Sequence, residues 1–78
     1  MMFKKRVLKK LYFERMIGGK HTSVEAIKRG FPSHEKAHVD KAIKKLVKAD
    51  LLEHHPTSYG HQYSLNPRRI QEIEDLIE

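Results

Sequence analysis

Residues 39–52 read Val39-Asp40-Lys41-Ala42-Ile43-Lys44-Lys45-Leu46-Val47-Lys48-Ala49-Asp50-Leu51-Leu52, a pattern that ends one helix and opens an extended segment. At about 100° per residue, Val39, Ile43, Leu46 and Val47 fall within roughly 50° of one direction, which makes an apolar helical stripe. The opposite side carries Lys41, Lys45 and Lys48, with Lys44 on its flank, and further upstream it gathers His34, Ala37 and His38. Ser33 is the expected N-cap, so this helix runs over about residues 34–49. Asp50 falls where the chain needs a left-handed residue. Glycine is commoner at such a position, but Asp tolerates the conformation.

Downstream, Leu51-Leu52-Glu53-His54-His55 and His61-Gln62-Tyr63-Ser64-Leu65 flank Pro56-Thr57-Ser58-Tyr59-Gly60. Both flanks suit strands, with Leu52 and His54 sharing one face of the first and Tyr63 and Leu65 one face of the second. The five residues between them suit a hairpin loop. On this reading His54 packs beneath the hairpin and His55 is solvated or near phosphate. Asn66-Pro67 opens a last helix as N-cap and first helical residue. Ile70, Ile73, Leu76 and Ile77 face inward from it, and Glu72, Glu74, Asp75 and Glu78 do not.

Upstream lies a short helix. Thr22-Ser23-Val24-Glu25 places a hydroxyl three residues before a glutamate, the pattern of a capping box. Arg29-Gly30-Phe31-Pro32 reads as its stop, with Gly30 left-handed, Phe31 folding back and Pro32 barring continuation. The first segment spaces Phe3, Val7, Leu8, Leu11, Tyr12 and Met16 as another helical stripe, with Lys4, Lys5, Lys9, Lys10 and Arg15 largely off it. Gly18-Gly19 is the expected terminator.

The 78 residues fit one domain, spanning 1–78. Leu, Ile, Val and Phe supply 20 of them, enough for a small core rather than a disordered chain. The absence of cysteine excludes disulfides, iron–sulfur clusters and thiolate zinc sites. No apolar run approaches the ~18 residues of a membrane span. A soluble, cytoplasmic protein is the expectation, nucleoid-associated in a prokaryote. Lys and Arg number 16 against 10 Asp and Glu, a formal charge of +6, and the excess is uneven. Residues 1–50 hold 14 basic and 5 acidic side chains, and residues 51–78 hold 2 and 5. A basic part beside an acidic part points to a polyanion-facing surface, with nucleic acid the first partner to consider.

Helix, short helix, tight turn, longer helix, hairpin, helix: this order resembles the winged helix-turn-helix family over essentially the whole chain. Residues 39–52 and the following hairpin carry most of the likeness. The resemblance implies a mainly α fold with a small β-hairpin: helix, short helix, recognition helix, two-stranded wing, C-terminal helix. Lys20-His21 would form the short extra strand that often pairs with the wing. The resemblance further implies duplex-DNA binding, sequence-specific or structural, by a small transcriptional regulator. The third helix would enter the major groove, with His34, Ala37 and His38 nearest the base edges and Lys36, Lys41, Lys44, Lys45 and Lys48 beside phosphates. Thr57, Ser58, Tyr59 and His61 at the wing would reach the backbone. Winged helices also serve as protein–protein or RNA and ribonucleoprotein modules, and those alternatives stay open. The first and last helices, with Phe13, are candidates for a homodimer contact.

One motif pulls elsewhere. His34-Glu35-Lys36-Ala37-His38 matches H-E-x-x-H, in which two histidines one turn apart hold zinc and the glutamate acts as base. Here it begins on a helix's first turn, Lys41 and Lys45 share the histidine face, and only Glu53 and His54 offer a third ligand. His54, His55 and His61 invite a similar metal reading, but adjacent strand residues point to opposite faces. No Ser/His/Asp set, P-loop or dinucleotide fingerprint occurs. The expectation is a binding protein rather than an enzyme, without a cofactor, a resident metal or an evident small-molecule effector.

Overall fold

The computed structural model describes residues 2–58 and 60–78. Four helices, α1 (Met2–Phe13), α2 (Val24–Lys28), α3 (Lys36–Lys48) and α4 (Ile70–Ile77), surround an antiparallel sheet of β1 (Thr22–Ser23), β2 (Leu52–Thr57) and β3 (Gly60–Leu65). The strand order is β1-β3-β2. The core is drawn from every helix and from the inner ends of the hairpin: Val7 and Leu11 of α1, Ile27 of α2, Val39 and Ile43 of α3, Leu65 and Ile73.

Helix α1 buries the expected stripe but stops before the glycines. Arg15 takes a left-handed conformation (φ 59°). The Arg15 N–H donates to the Tyr12 carbonyl and the Met16 N–H to the Leu11 carbonyl, which closes the helix in a Schellman motif. Gly18, also left-handed, serves the next step: its N–H donates to the Leu65 carbonyl while the Leu65 N–H donates to Met16. The 16–18 segment is thereby laced to the end of β3.

Three sequence expectations shift around α2. The N-cap is Ser23, whose Oγ accepts from the Ala26 N–H at 3.1 Å. Thr22 instead pairs with Tyr63 in the sheet, so the short extra strand is Thr22–Ser23 rather than Lys20-His21. Gly30 is not left-handed. Its N–H and that of Phe31 donate back to Ile27 and Lys28, unwinding the helix through tight turns. A Cβ at Gly30 would meet only the end of the Lys10 side chain, 2.9 Å away, which can swing aside.

The turn into α3 is a 3-10 helix over Ser33–Glu35 following Pro32, and Ser33 makes no side-chain cap. Helix α3 buries Val39, Ala42, Ile43 and Leu46. It ends in a second Schellman motif at Asp50 (φ 67°), where the Leu51 N–H donates to Leu46 and the Asp50 N–H to Val47. The hairpin is longer in strand and shorter in loop than its composition suggested. Pro56 pairs with His61 and Thr57 with Gly60, so two residues make the connection. Proline is tolerated because β2 is an edge strand.

Asn66 ties the two halves together. Its side chain accepts from the Arg68 N–H at 3.1 Å and donates to the Asp50 carbonyl at 2.8 Å. Its own N–H donates to Leu51. Pro67–Arg69 forms a 3-10 turn that leads into α4. Ile73 and Ile77 are buried as expected, but Leu76 is 44% exposed. The Tyr12 hydroxyl donates to Glu74 Oε2 at 2.6 Å, joining basic α1 to acidic α4. None of the described helices is long and apolar enough to cross a membrane.

Candidate functional site

The outward face of α3 is the most strongly charged feature. Lys36, Ala37, His38, Lys41, Lys44, Lys45 and Lys48 are all exposed, as is His34 on the preceding 3-10 turn. The thirteen residues of α3 extend about 20 Å, and successive lysines on one face stand about one 5.4 Å turn apart. The single acidic residue within α3, Asp40, is engaged sideways with Lys28 at 2.9 Å. Among the described residues, no carboxylate pairs with any of the five α3 lysines. The face therefore presents uncompensated charge.

Helix α1 adds to this face in a way that the sequence did not disclose. The Phe3 ring stacks on His38 with centroids 5.0 Å apart and planes at 14°. Beside that stack, Lys4, Lys41 and Lys45 border a small cavity of about 140 Å³. Phe3 is legible as part of the α1 stripe, but its meeting with His38 depends on how α1 crosses α3, which spacing alone does not give.

Two of the H-E-x-x-H residues, Glu35 and His38, take part in contacts with α1. Glu35 accepts from the Arg6 guanidinium at 3.2 Å, and that guanidinium also lies over the Phe31 ring at 4.8 Å. His38 is stacked on Phe3, and the two histidines straddle the change from 3-10 to α-helix. No group of three His, Cys, Asp or Glu residues able to hold a metal occurs among the described residues.

On the hairpin, Thr57 and Ser58 are exposed at the tip, and the Thr57 Oγ1 donates to the Gly60 carbonyl at 2.9 Å. Tyr59 lies outside the described residues. His61 is not at the tip, because the ladder extends further than expected. It belongs to β3, with its Nδ1 2.7 Å from His54 Nε2. That separation is within hydrogen-bond reach, with the donor set by the tautomers of the two rings. His54 is exposed rather than covered by the hairpin, and it stacks on Tyr63 at 5.1 Å. His55 points to the opposite face, as strand alternation requires. There it meets Ser64 Oγ at 2.9 Å and stacks on His21 at 4.8 Å. Burial, and then the Asp40 charge, raise the Tyr63 phenol above its ordinary range.

Chemically, the α3 face can neutralise a row of anions at helical spacing and can offer imidazoles near its N-terminal end. Comparison of the chain with protein-family models, curated proteins and solved structures gives no match.

Proposed function

We propose that the chain is a winged helix-turn-helix protein that binds duplex DNA as a small transcriptional regulator, with α3 as recognition helix and the β2–β3 hairpin as wing. The observation that carries this reading is the α3 face: five lysines without carboxylate partners among the described residues and two exposed histidines, opposite a stripe in which Val39, Ala42, Ile43 and Leu46 are buried. A major groove about 12 Å wide admits one α-helix. In helix-turn-helix docking the N-terminal residues of the recognition helix meet base edges, which would give that role to His34, Ala37 and His38. Lys36, Lys41, Lys44, Lys45 and Lys48 would lie beside phosphates. Thr57, Ser58 and Tyr59 would touch the backbone, while His61 is better read as support for the wing. A homodimer through α1 and α4 belongs to the same reading, supported by Phe13, which is 73% exposed.

Selection from a random-sequence duplex pool, followed by fluorescence anisotropy across a salt series, tests the proposal. Neutralising about five phosphates gives a slope of log K against log salt of roughly −4 to −5. K41E/K45E abolishes binding while the circular dichroism spectrum is unchanged. Undiminished affinity in a folded double variant rejects DNA binding through α3.

A further inference from the structure

We propose that the groove between α1, the C-terminal half of α3 and α4 is a binding site for one small amphipathic carboxylate, an aryl or short-chain alkyl acid. The concavity holds about 430 Å³, within the roughly 300–1,000 Å³ typical of small-molecule sites. Its walls are Leu8, Leu46, Leu51 and Leu76, drawn from three helices and the turn after α3. Leu76 is the informative member. Its neighbours Ile73 and Ile77 are buried, yet Leu76, at the edge of the groove, is 44% exposed. Leu8, Leu46 and Leu51 are only 2–6% exposed beneath it, so the apolar gain comes chiefly from covering Leu76, at about 25 cal/mol per Å² of apolar surface.

The rim determines what kind of molecule fits. Lys4 and Lys45 stand at the groove edge, and neither has a carboxylate partner among the described residues. Lys5, also at the edge, is already committed, since its ammonium donates to the Glu78 main-chain oxygen at 3.0 Å. Among the described residues, no acidic side chain lines the groove. A cation would meet like charge at the entrance, and a neutral polar molecule would find no partner on the leucine floor. An apolar body with one anionic head satisfies both parts: its body covers the leucines and its head bridges two free ammonium groups with charge-assisted hydrogen bonds. The site shares Lys45 with the proposed DNA contact, but the case for it does not depend on that contact.

The test is a ¹H–¹⁵N titration of the full chain with 2-naphthoate and, separately, with neutral 2-naphthalenemethanol. The expected result is saturable shifts centred on Leu8, Leu46, Ala49, Leu51 and Leu76, with the carboxylate at least fivefold tighter than the alcohol. K4Q/K45Q brings the two ligands within twofold of each other. A49F, which fills the groove from an exposed lining position, abolishes the shifts at unchanged Tm. Shifts spread over the whole chain, a lack of saturation, or equal affinity for the alcohol overturns the proposal. Groove amides that move with protein concentration in the absence of ligand also overturn it, because the occupant is then a second copy of the chain. Binding only to phosphatidylglycerol vesicles, and not to the free acid, assigns the surface to a membrane and likewise rejects it.

Discussion

Replacing Asn66 with alanine removes two side-chain hydrogen bonds that together fix the approach of α4 to the end of α3. The residue is 3% exposed, so solvent does not take over its role. Its side-chain oxygen caps the last helical segment by accepting from the Arg68 N–H, and loss of such a cap costs about 1 kcal/mol. Its Nδ2 donates to the Asp50 carbonyl, and leaving that acceptor without its donor adds about 1–2 kcal/mol. Asn66→Ala should therefore lose about 2–3 kcal/mol from a domain whose whole stability is on the order of 4–12 kcal/mol. With a urea m-value of about 1 kcal/mol/M, the unfolding midpoint followed by far-ultraviolet circular dichroism falls by roughly 2 M. Asn66→Ser is the discriminating control. It keeps a cap acceptor and gives up the link to Asp50, so it should fall between wild type and alanine. A loss below about 0.5 kcal/mol in Asn66→Ala, or equal losses in the two variants, refutes the reasoning that Asn66 acts as a two-ended tie.

Asp50→Gly relieves a left-handed residue (φ 67°) whose side chain makes only a long, exposed contact with Arg69 at 3.6 Å, so urea unfolding should show a gain of about 0.5 kcal/mol. The Tyr12 phenol titrates above its usual 10, first because its proton is held by Glu74, so absorbance at 295 nm should show its midpoint fall in E74Q. A phenol favoured in its protonated form by folding adds stability below pH 10 and loses it as pH rises through the folded value, so alkaline unfolding of E74Q should begin from a less stable state. Sedimentation equilibrium near 10 μM should give twice the 9.2 kDa chain mass and return to the single mass in Phe13→Ser; an invariant single mass in both rejects the homodimer.

The parts of the fold that repeat were legible in the sequence. The largely buried stripes of α1 and α3 and the exposure of the outer-face residues Ala37, His38, Lys41, Lys44, Lys45 and Lys48 follow from 3.6-residue periodicity, which burial respects wherever a helix packs on one side. Asp50 as the left-handed terminator and Asn66-Pro67 as the helix start were legible because each depends on its own local chemistry. What escaped was decided by competition between neighbours. Thr22 qualifies as a cap by composition, but α2 begins at Val24, so the residue directly before it, Ser23, takes the role. The hairpin loop looked five residues long because Pro56 and Gly60 read as turn residues, whereas Pro56 is accommodated on the edge strand β2 and Gly60 opens β3. Leu76 fits the inward stripe of α4 by angle, yet nothing in α4 reveals that the opposing surface of α1 and α3 falls short of it. The groove is invisible in the sequence for the same reason, since its walls lie near residues 8, 46–51 and 76.

Lys45 is where the two proposals meet, and this makes their relation testable. It belongs to the exposed lysine face of α3, and it borders both the leucine groove and the small cavity beside the Phe3–His38 stack. A carboxylate seated between Lys4 and Lys45 would neutralise part of the charge that α3 offers to phosphate. One lost phosphate contact lowers the magnitude of the salt slope by about 0.9. Saturating 2-naphthoate should therefore flatten the slope for DNA by about one unit and weaken binding several-fold near 0.1 M salt, while 2-naphthalenemethanol at the same concentration leaves it unchanged. A49F, with its groove filled but every lysine in place, should bind DNA with the wild-type slope and ignore the acid. An unaltered slope with the groove shown by ¹H–¹⁵N shifts to be saturated would mean that Lys45 makes no phosphate contact, moving the DNA footprint toward Lys36, Lys41, Lys44 and Lys48 without touching the case for the groove.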